Sequence, residues 1–160
     1  MSKIYNRDKA VLYAKNWALK RNPKYYNYDN IGGDCTNFAS QCIYAGSGVM
    51  NYTKTFGWYY INANNKSPSW SGVNYLYNFL TRNFGGSGPV GEVVTKDRIR
   101  IGDLIQLAFI KSNFSHSLVV TKIERGEILV ATHTDDSLDR NLKSYSYSDI
   151  RFVHIREINV

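Results

Sequence analysis

The chain has 160 residues, 43% of them hydrophobic and 14% aromatic, enough for one packed domain and too apolar for wholesale disorder. Two cysteines exclude a disulfide-dense scaffold, and no apolar run approaches the ~20 residues of a membrane span or forms a signal-peptide core near the start. Twenty Lys and Arg against thirteen Asp and Glu give a net charge of +7, which favours polyanionic surroundings without choosing among nucleic acid, anionic wall polymer and membrane.

In chain order, residues 6–21 predict a helix capped by Asn6, with Ala10, Tyr13, Ala14 and Trp17 at helical spacing and Pro23 beyond its end. Tyr25 to Gly33 is polar and Tyr-rich and reads as a loop. A second helix fits Thr36 to Tyr44, stopped by Gly46 and Gly48. Residues 49–68 show no period and are expected to be irregular. A third helix covers Ser71 to Asn83, with Val73, Leu76, Tyr77 and Leu80 on one face, and the Gly-rich stretch after Phe84 reads as a flexible connection. From Ile99 the period changes to β-rich runs, IGDLIQLAFI, HSLVVTKIE, EILVATHT and FVHIREI, with Arg125-Gly126 the tightest turn. Helices followed by a mostly antiparallel sheet predict an α+β fold, in a single domain spanning 1–160.

The segment Gly32-Gly33-Asp34-Cys35-Thr36-Asn37-Phe38-Ala39-Ser40-Gln41-Cys42 carries the most chemical information. On one helix its two cysteines lie ~10 Å apart, beyond the roughly 7 Å Cα separation a disulfide tolerates. Cys42 shares a face with Phe38, Ala39 and Ala45 and reads as a small buried hydrophobe. Cys35 differs because Asp34 suits an N-cap, which puts Cys35 in the first helical turn. There the unpaired N–H groups and the helix dipole favour a thiolate and can hold a developing oxyanion. The competing reading is a structural cysteine packed under a loop.

A thiol nucleophile needs a base, and the chain has three histidines, His116, His133 and His154. If Arg125-Gly126 is a two-residue turn, Glu124 pairs with Glu127, His116 falls opposite Asp135, and His116, His133 and Asp135 project to one side. A one-residue bulge at Gly126 would favour Thr134 and Asp136 instead. Either arrangement offers an imidazole base with a group to orient it. His154, among Arg151, Arg156 and Glu157, reads as a solvated or edge histidine.

Gly33-Asp34-Cys35-Thr36-Asn37-Phe38-Ala39-Ser40-Gln41, Gly102-Asp103-Leu104-Ile105-Gln106, Ser115-His116-Ser117 and Ala131-Thr132-His133-Thr134-Asp135 together resemble the putative amidase domain family of Gram-positive bacteria. That family is similar to the CHAP group of cysteine- and histidine-dependent amidohydrolases and peptidases. The resemblance covers nearly the whole chain and includes Ser69-Trp70-Ser71-Gly72-Val73. It implies a papain-like core, a nucleophile at Cys35, a base at His116 and a third polar residue at His133 or Asp135. CHAP-like domains carry Gln before the cysteine and an acidic residue with Asn beyond the histidine; here Asp34, His133 and Asp135 stand in those places. Asp34 therefore lies near the oxyanion site, with the Cys35 backbone N–H the safer donor.

Trp58-Tyr59-Tyr60 with Trp70 and Tyr75 could line a groove for peptide or sugar, which makes Trp58 and Trp70 candidate substrate contacts. The glycines at 85–88 lack the Lys-Ser/Thr ending of a phosphate loop, no zinc-ligand spacing occurs, and Asp135, Asp136 and Asp139 lack the glycine and terminal Glu of a calcium loop. No cofactor or metal is expected. Basic residues are dispersed and accompany no nucleic-acid motif. The expectation is a monomeric cysteine hydrolase, secreted or at the cell wall or a phage lysin, that cleaves an amide of peptidoglycan without nucleic acid or membrane insertion. The alternatives are a degenerate wall- or polyanion-binding module and an acyl or peptidyl transferase.

Overall fold

Asn6 starts the first helix as its side chain suggests. Its Oδ1 accepts from the Lys9 N–H at 3.0 Å, and α1 runs Arg7–Trp17 in a computed structural model that describes residues 1–160. Ala10 and Ala14 are fully buried on its inner face, with Tyr13 and Trp17 packed at the rim. The helix stops short of Arg21 because the Trp17 carbonyl turns to other donors, the Lys20 N–H and the His133 ring.

The second helix, α2, spans Cys35–Ser47 and ends at Gly48, so it runs one turn beyond the expected stop at Tyr44. Gly46 lies inside the helix and serves packing rather than termination. A Cβ there would sit 2.5 Å from Tyr5 Cε1 and 2.7 Å from the Asn6 carbonyl oxygen. Gly46→Ala is expected to cost about 1–3 kcal/mol through overpacking, measured as a lowered midpoint in thermal or denaturant melts. Eleven of the 13 residues of α2 are buried, which makes it the central helix.

The expected third helix divides at Gly72, whose extended backbone separates α3 (Pro68–Ser71) from α4 (Val73–Arg82). Leu76, Phe79 and Leu80 bury the inner face of α4. The region expected to be irregular contains a short hairpin, β2 (Tyr60–Asn62) with β3 (Asn65–Lys66).

Seven strands make the main sheet: β1 (Ser2–Lys3), β4 (Gly88–Val94), β5 (Leu104–Ala108), β6 (Phe114–Glu124), β7 (Glu127–Thr132), β8 (Ser137–Asn141) and β9 (Asp149–Asn159). Their order is β1-β9-β5-β6-β7-β8, with β4 also paired to β9, and every pairing is antiparallel. The segment expected to be a flexible connection is therefore largely strand. Gly91 on β4 explains why glycines stand there, since a Cβ would come within 3.0 Å of Leu80 and 2.9 Å of Val153, closing the space through which α4 approaches the sheet. With helices preceding a mostly antiparallel sheet, the fold is α+β.

Strand alternation sorts the core into two faces. Leu104, Val119, Ala131 and Val153 meet Phe38, Cys42, Trp58 and Trp70 under the helices. Ile105, Leu107, Leu118, Val120, Ile128 and Val130 form a second cluster on the far side. The β6–β7 hairpin pairs Glu124 with Glu127 across Arg125-Gly126, as expected. The register then slips by one residue between Val120 and Lys122, so Val119 faces Ala131. Extending this pairing sets His116 opposite Thr134 rather than Asp135, and Thr132 opposite Leu118. The slip at Thr121, not at Gly126, overturns the predicted face sharing. No helix is long and apolar enough to cross a membrane.

Candidate active site

Cys35 is the first residue of α2 and only 7% exposed. Its sulfur lies 3.8 Å from Thr36 Oγ1 and receives the backbone N–H of Ser117. Thr36 Oγ1 in turn meets Ser117 Oγ at 2.9 Å, which docks the first turn of α2 onto β6. The first backbone bond into the helix is from the Phe38 N–H to the Asp34 carbonyl, so the Cys35 N–H has no intrahelical backbone partner, while the Thr36 N–H reaches the Cys35 sulfur. Burial pushes the Cys35 thiol up, against the pull of the Ser117 N–H and the Thr36 hydroxyl. The resting group is a thiol, not the thiolate that position alone suggests.

His116 precedes the residue that holds the sulfur, but it points to the other side of β6. Its ring lies 6.1 Å from Phe109 and 6.1 Å from Tyr145, measured between centroids, and no hydrogen bond joins it to Cys35. Nε2 is 3.5 Å from Thr132 Oγ1. Burial first, then the Arg140 charge, lowers its pKa to about 4, while Asp135 pulls weakly the other way. At neutral pH the imidazole is therefore unprotonated and able to accept a proton.

His133 is elsewhere and differently employed. It is 1% exposed and stacked on Phe38 with centroids 4.1 Å apart. Nδ1 meets Asp34 Oδ2, and Nε2 donates to the Trp17 carbonyl at 2.8 Å. With both ring nitrogens held, His133 has none to offer His116, which corrects its assignment as the orienting residue. Asp34 occupies the N-cap position but makes no cap bond. Its Oδ1 takes the Tyr28 N–H at 2.8 Å and Asn37 Nδ2 at 2.9 Å, and Arg21 Nε lies 3.5 Å from Oδ2. The carboxylate thus faces away from the free N–H of the helix start.

Asp135 caps the opposite rim with a side chain 90% exposed, in long contact (3.4 Å) with Arg140. His116, Thr134, Asp135, Arg140 and Tyr145 line a cleft of about 330 Å³. Thr134 connects this cleft to the helix start, because its Oγ1 accepts the Asp34 N–H at 3.2 Å.

A comparison with protein families matches residues 4–156 to the one described as Putative amidase domain. The chain belongs to that family. Within the curated proteins, this amidase-domain chain is 32% identical over 149 residues to "Uncharacterized protein YhbB" of Bacillus subtilis (strain 168), covering 91% of the chain and 45% of the relative. It thus spans somewhat under half the length of that relative. No solved structure matches it.

Trp58 and Trp70 are not groove residues of this amidase domain. Both are fully buried, 4.9 Å apart between centroids, with Nε1 donating to Ser40 Oγ (3.1 Å) and to Asn37 Oδ1 (2.9 Å). Trp70 braces Asn37, and Asn37 braces Asp34. His154 is likewise no free edge histidine, since Nδ1 meets the buried Asp103 carboxylate at 2.8 Å beside Arg7. Cys42 is fully buried, as expected of a packing residue. Thr132, Arg140 and Tyr145 carry no local sequence signal that sets them beside His116. With the slip at Thr121 the hairpin register sets His116 opposite Thr134, and Thr132 opposite Leu118 on the same face.

Proposed function

We propose that this amidase-domain chain is a papain-like cysteine hydrolase that cleaves an amide bond in the peptide portion of bacterial cell-wall peptidoglycan. The family supports hydrolysis of an amide at the coarse level. The observation that carries the finer reading is a first-turn cysteine with its own backbone N–H free, its sulfur held by the N–H of Ser117, the residue that follows an unprotonated histidine.

In this reading Cys35 Sγ attacks the carbonyl carbon while its proton passes to His116, and the carbonyl electron pair becomes an oxyanion held by the Cys35 N–H. Collapse breaks the C–N bond, and the leaving amine takes the proton from His116. Water then attacks the thioester, gives its proton to His116, and releases the acid as the sulfur is reprotonated. The Thr132 hydroxyl has carbonyl acceptors at Ser117 and His133 and lies 3.5 Å from His116 Nε2, near enough to guide the ring but too long to fix its tautomer. Thr132 takes the orienting role, and Asp135 acts on His116 only through its charge. The transfer requires the His116 ring, which no hydrogen bond joins to Cys35 in the free chain, to turn towards the sulfur in the substrate complex. A net charge of +7 suits action on an anionic wall outside the membrane.

The pH profile tests the base. A lowered His116 pKa means that the proton acceptor persists into acid, so kcat/KM should hold through pH 5 and fall to half near pH 4. His116→Ala should remove that limb together with most of the activity. An acid limb at pH 6–7, the range of an unperturbed histidine, contradicts the assignment.

A further inference from the structure

Arg140 stands in the same cleft as His116, yet the proton transfers above do not use it. Its guanidinium is fixed in two ways. The carbon Cζ lies 3.7 Å from the Tyr145 ring centroid, and Nε donates to Ser144 Oγ at 2.7 Å. The remaining nitrogens are poorly used, with NH1 3.4 Å from Asp135 Oδ2 and NH2 3.4 Å from the Ser144 carbonyl. Both contacts are too long to be strong, and the Asp135 carboxylate is 90% exposed, so its pairing with Arg140 is worth little. The Arg140 side chain itself is 30% exposed. A planar fork held rigid at one edge and open at the other matches a carboxylate with two parallel N–H···O bonds.

We propose that Arg140 is the carboxylate-recognition residue of the cleft, so that the substrate is a peptide carrying a free carboxylate close to its scissile amide. The Tyr145 ring touches the guanidinium at 3.7 Å and stands 6.1 Å from the imidazole, so a carboxylate on Arg140 would lie about one ring's width from His116. The incoming carboxylate replaces the loose Asp135 contact. This assignment rests on the hydrolase reading for its substrate class, although recognition by Arg140 is a binding property that can be measured without turnover.

The test uses the full chain with Cys35→Ala, titrated calorimetrically with acetyl-Ala-γ-D-Glu-Lys-D-Ala and with the same peptide in which both carboxyl groups are carboxamides. The carboxylate form should bind at least tenfold more tightly, as charge-assisted pairs require. Adding Arg140→Gln should erase that ratio, and Arg140→Lys should restore part of it. A merely structural arginine would weaken both peptides alike and leave the ratio unchanged. Equal affinities for the two forms, no binding of either, or a ratio that survives Arg140→Gln overturns the proposal. If the unmodified chain cleaves neither peptide while the Arg140-dependent ratio stands, the hydrolase reading falls and the carboxylate site remains.

Discussion

Replacing Cys35 with alanine is expected to lower amide hydrolysis by roughly four orders of magnitude or more, the scale of losing a nucleophile for which nothing else substitutes. The only other cysteine is fully buried on the same helix and turned into the core, so it cannot take over. The fold should hardly notice the change. The Cys35 sulfur touches a hydroxyl at 3.8 Å and two backbone N–H groups, those of Ser117 and Thr36, and its loss is expected to shift stability by about 1 kcal/mol or less. A steady-state assay on wall fragments, paired with a denaturant melt of the same preparation, separates the two effects. Loss of activity with an unchanged midpoint is the expected outcome. Undiminished hydrolysis would remove Cys35 from the chemistry.

The second large effect is on stability. His133→Ala leaves the Asp34 carboxylate, 1% exposed, without its imidazole partner and also removes the stack on Phe38 and the bond to the Trp17 carbonyl. Leaving a buried carboxylate short of a hydrogen-bond partner, together with the lost ring packing, costs about 3–5 kcal/mol, a large share of a domain's margin. The cost falls where it matters for function, because Asp34 holds the loop at Tyr28 and the first turn of α2 at Asn37 in one network with Trp70. Urea denaturation should show a lower midpoint for His133→Ala and a similar one for Asp34→Ala. The double variant should lose less than the sum, as coupled neighbours do. Additive losses would mean that the two side chains do not act as a pair.

Much of this architecture is legible from local signals. Asn6 as a cap, the apolar spacing of α1 and α4, and the Arg125-Gly126 turn all act within a few residues, where spacing and turn chemistry decide. The missed elements depend on partners distant in sequence. Gly88–Val94 carries glycines and a proline that read as a linker, and it becomes a strand because β9 offers its full length as a template and α4 needs a small residue to approach. The site shows the same division. Cys35 announces itself through the glycines and the helix start. The partner of His116 could not be read, because one extra residue at Thr121 reverses the face of everything beyond it. Trp58 and Trp70 resemble a binding stripe in sequence, yet tertiary packing buries them completely. Asp34 was expected to cap, but a histidine 99 residues away claims its carboxylate.

The most direct test of the hydrolase account is the covalent intermediate itself. The chain is mixed with a wall-peptide amide, quenched in acid on the millisecond-to-second scale, and weighed intact by mass spectrometry. The account predicts an added mass equal to the acyl part of the substrate. Peptide mapping should locate it on Cys35, and it should be missing from Cys35→Ala and strongly reduced in His116→Ala. Turnover without any adduct, continuing unchanged in Cys35→Ala, would contradict it.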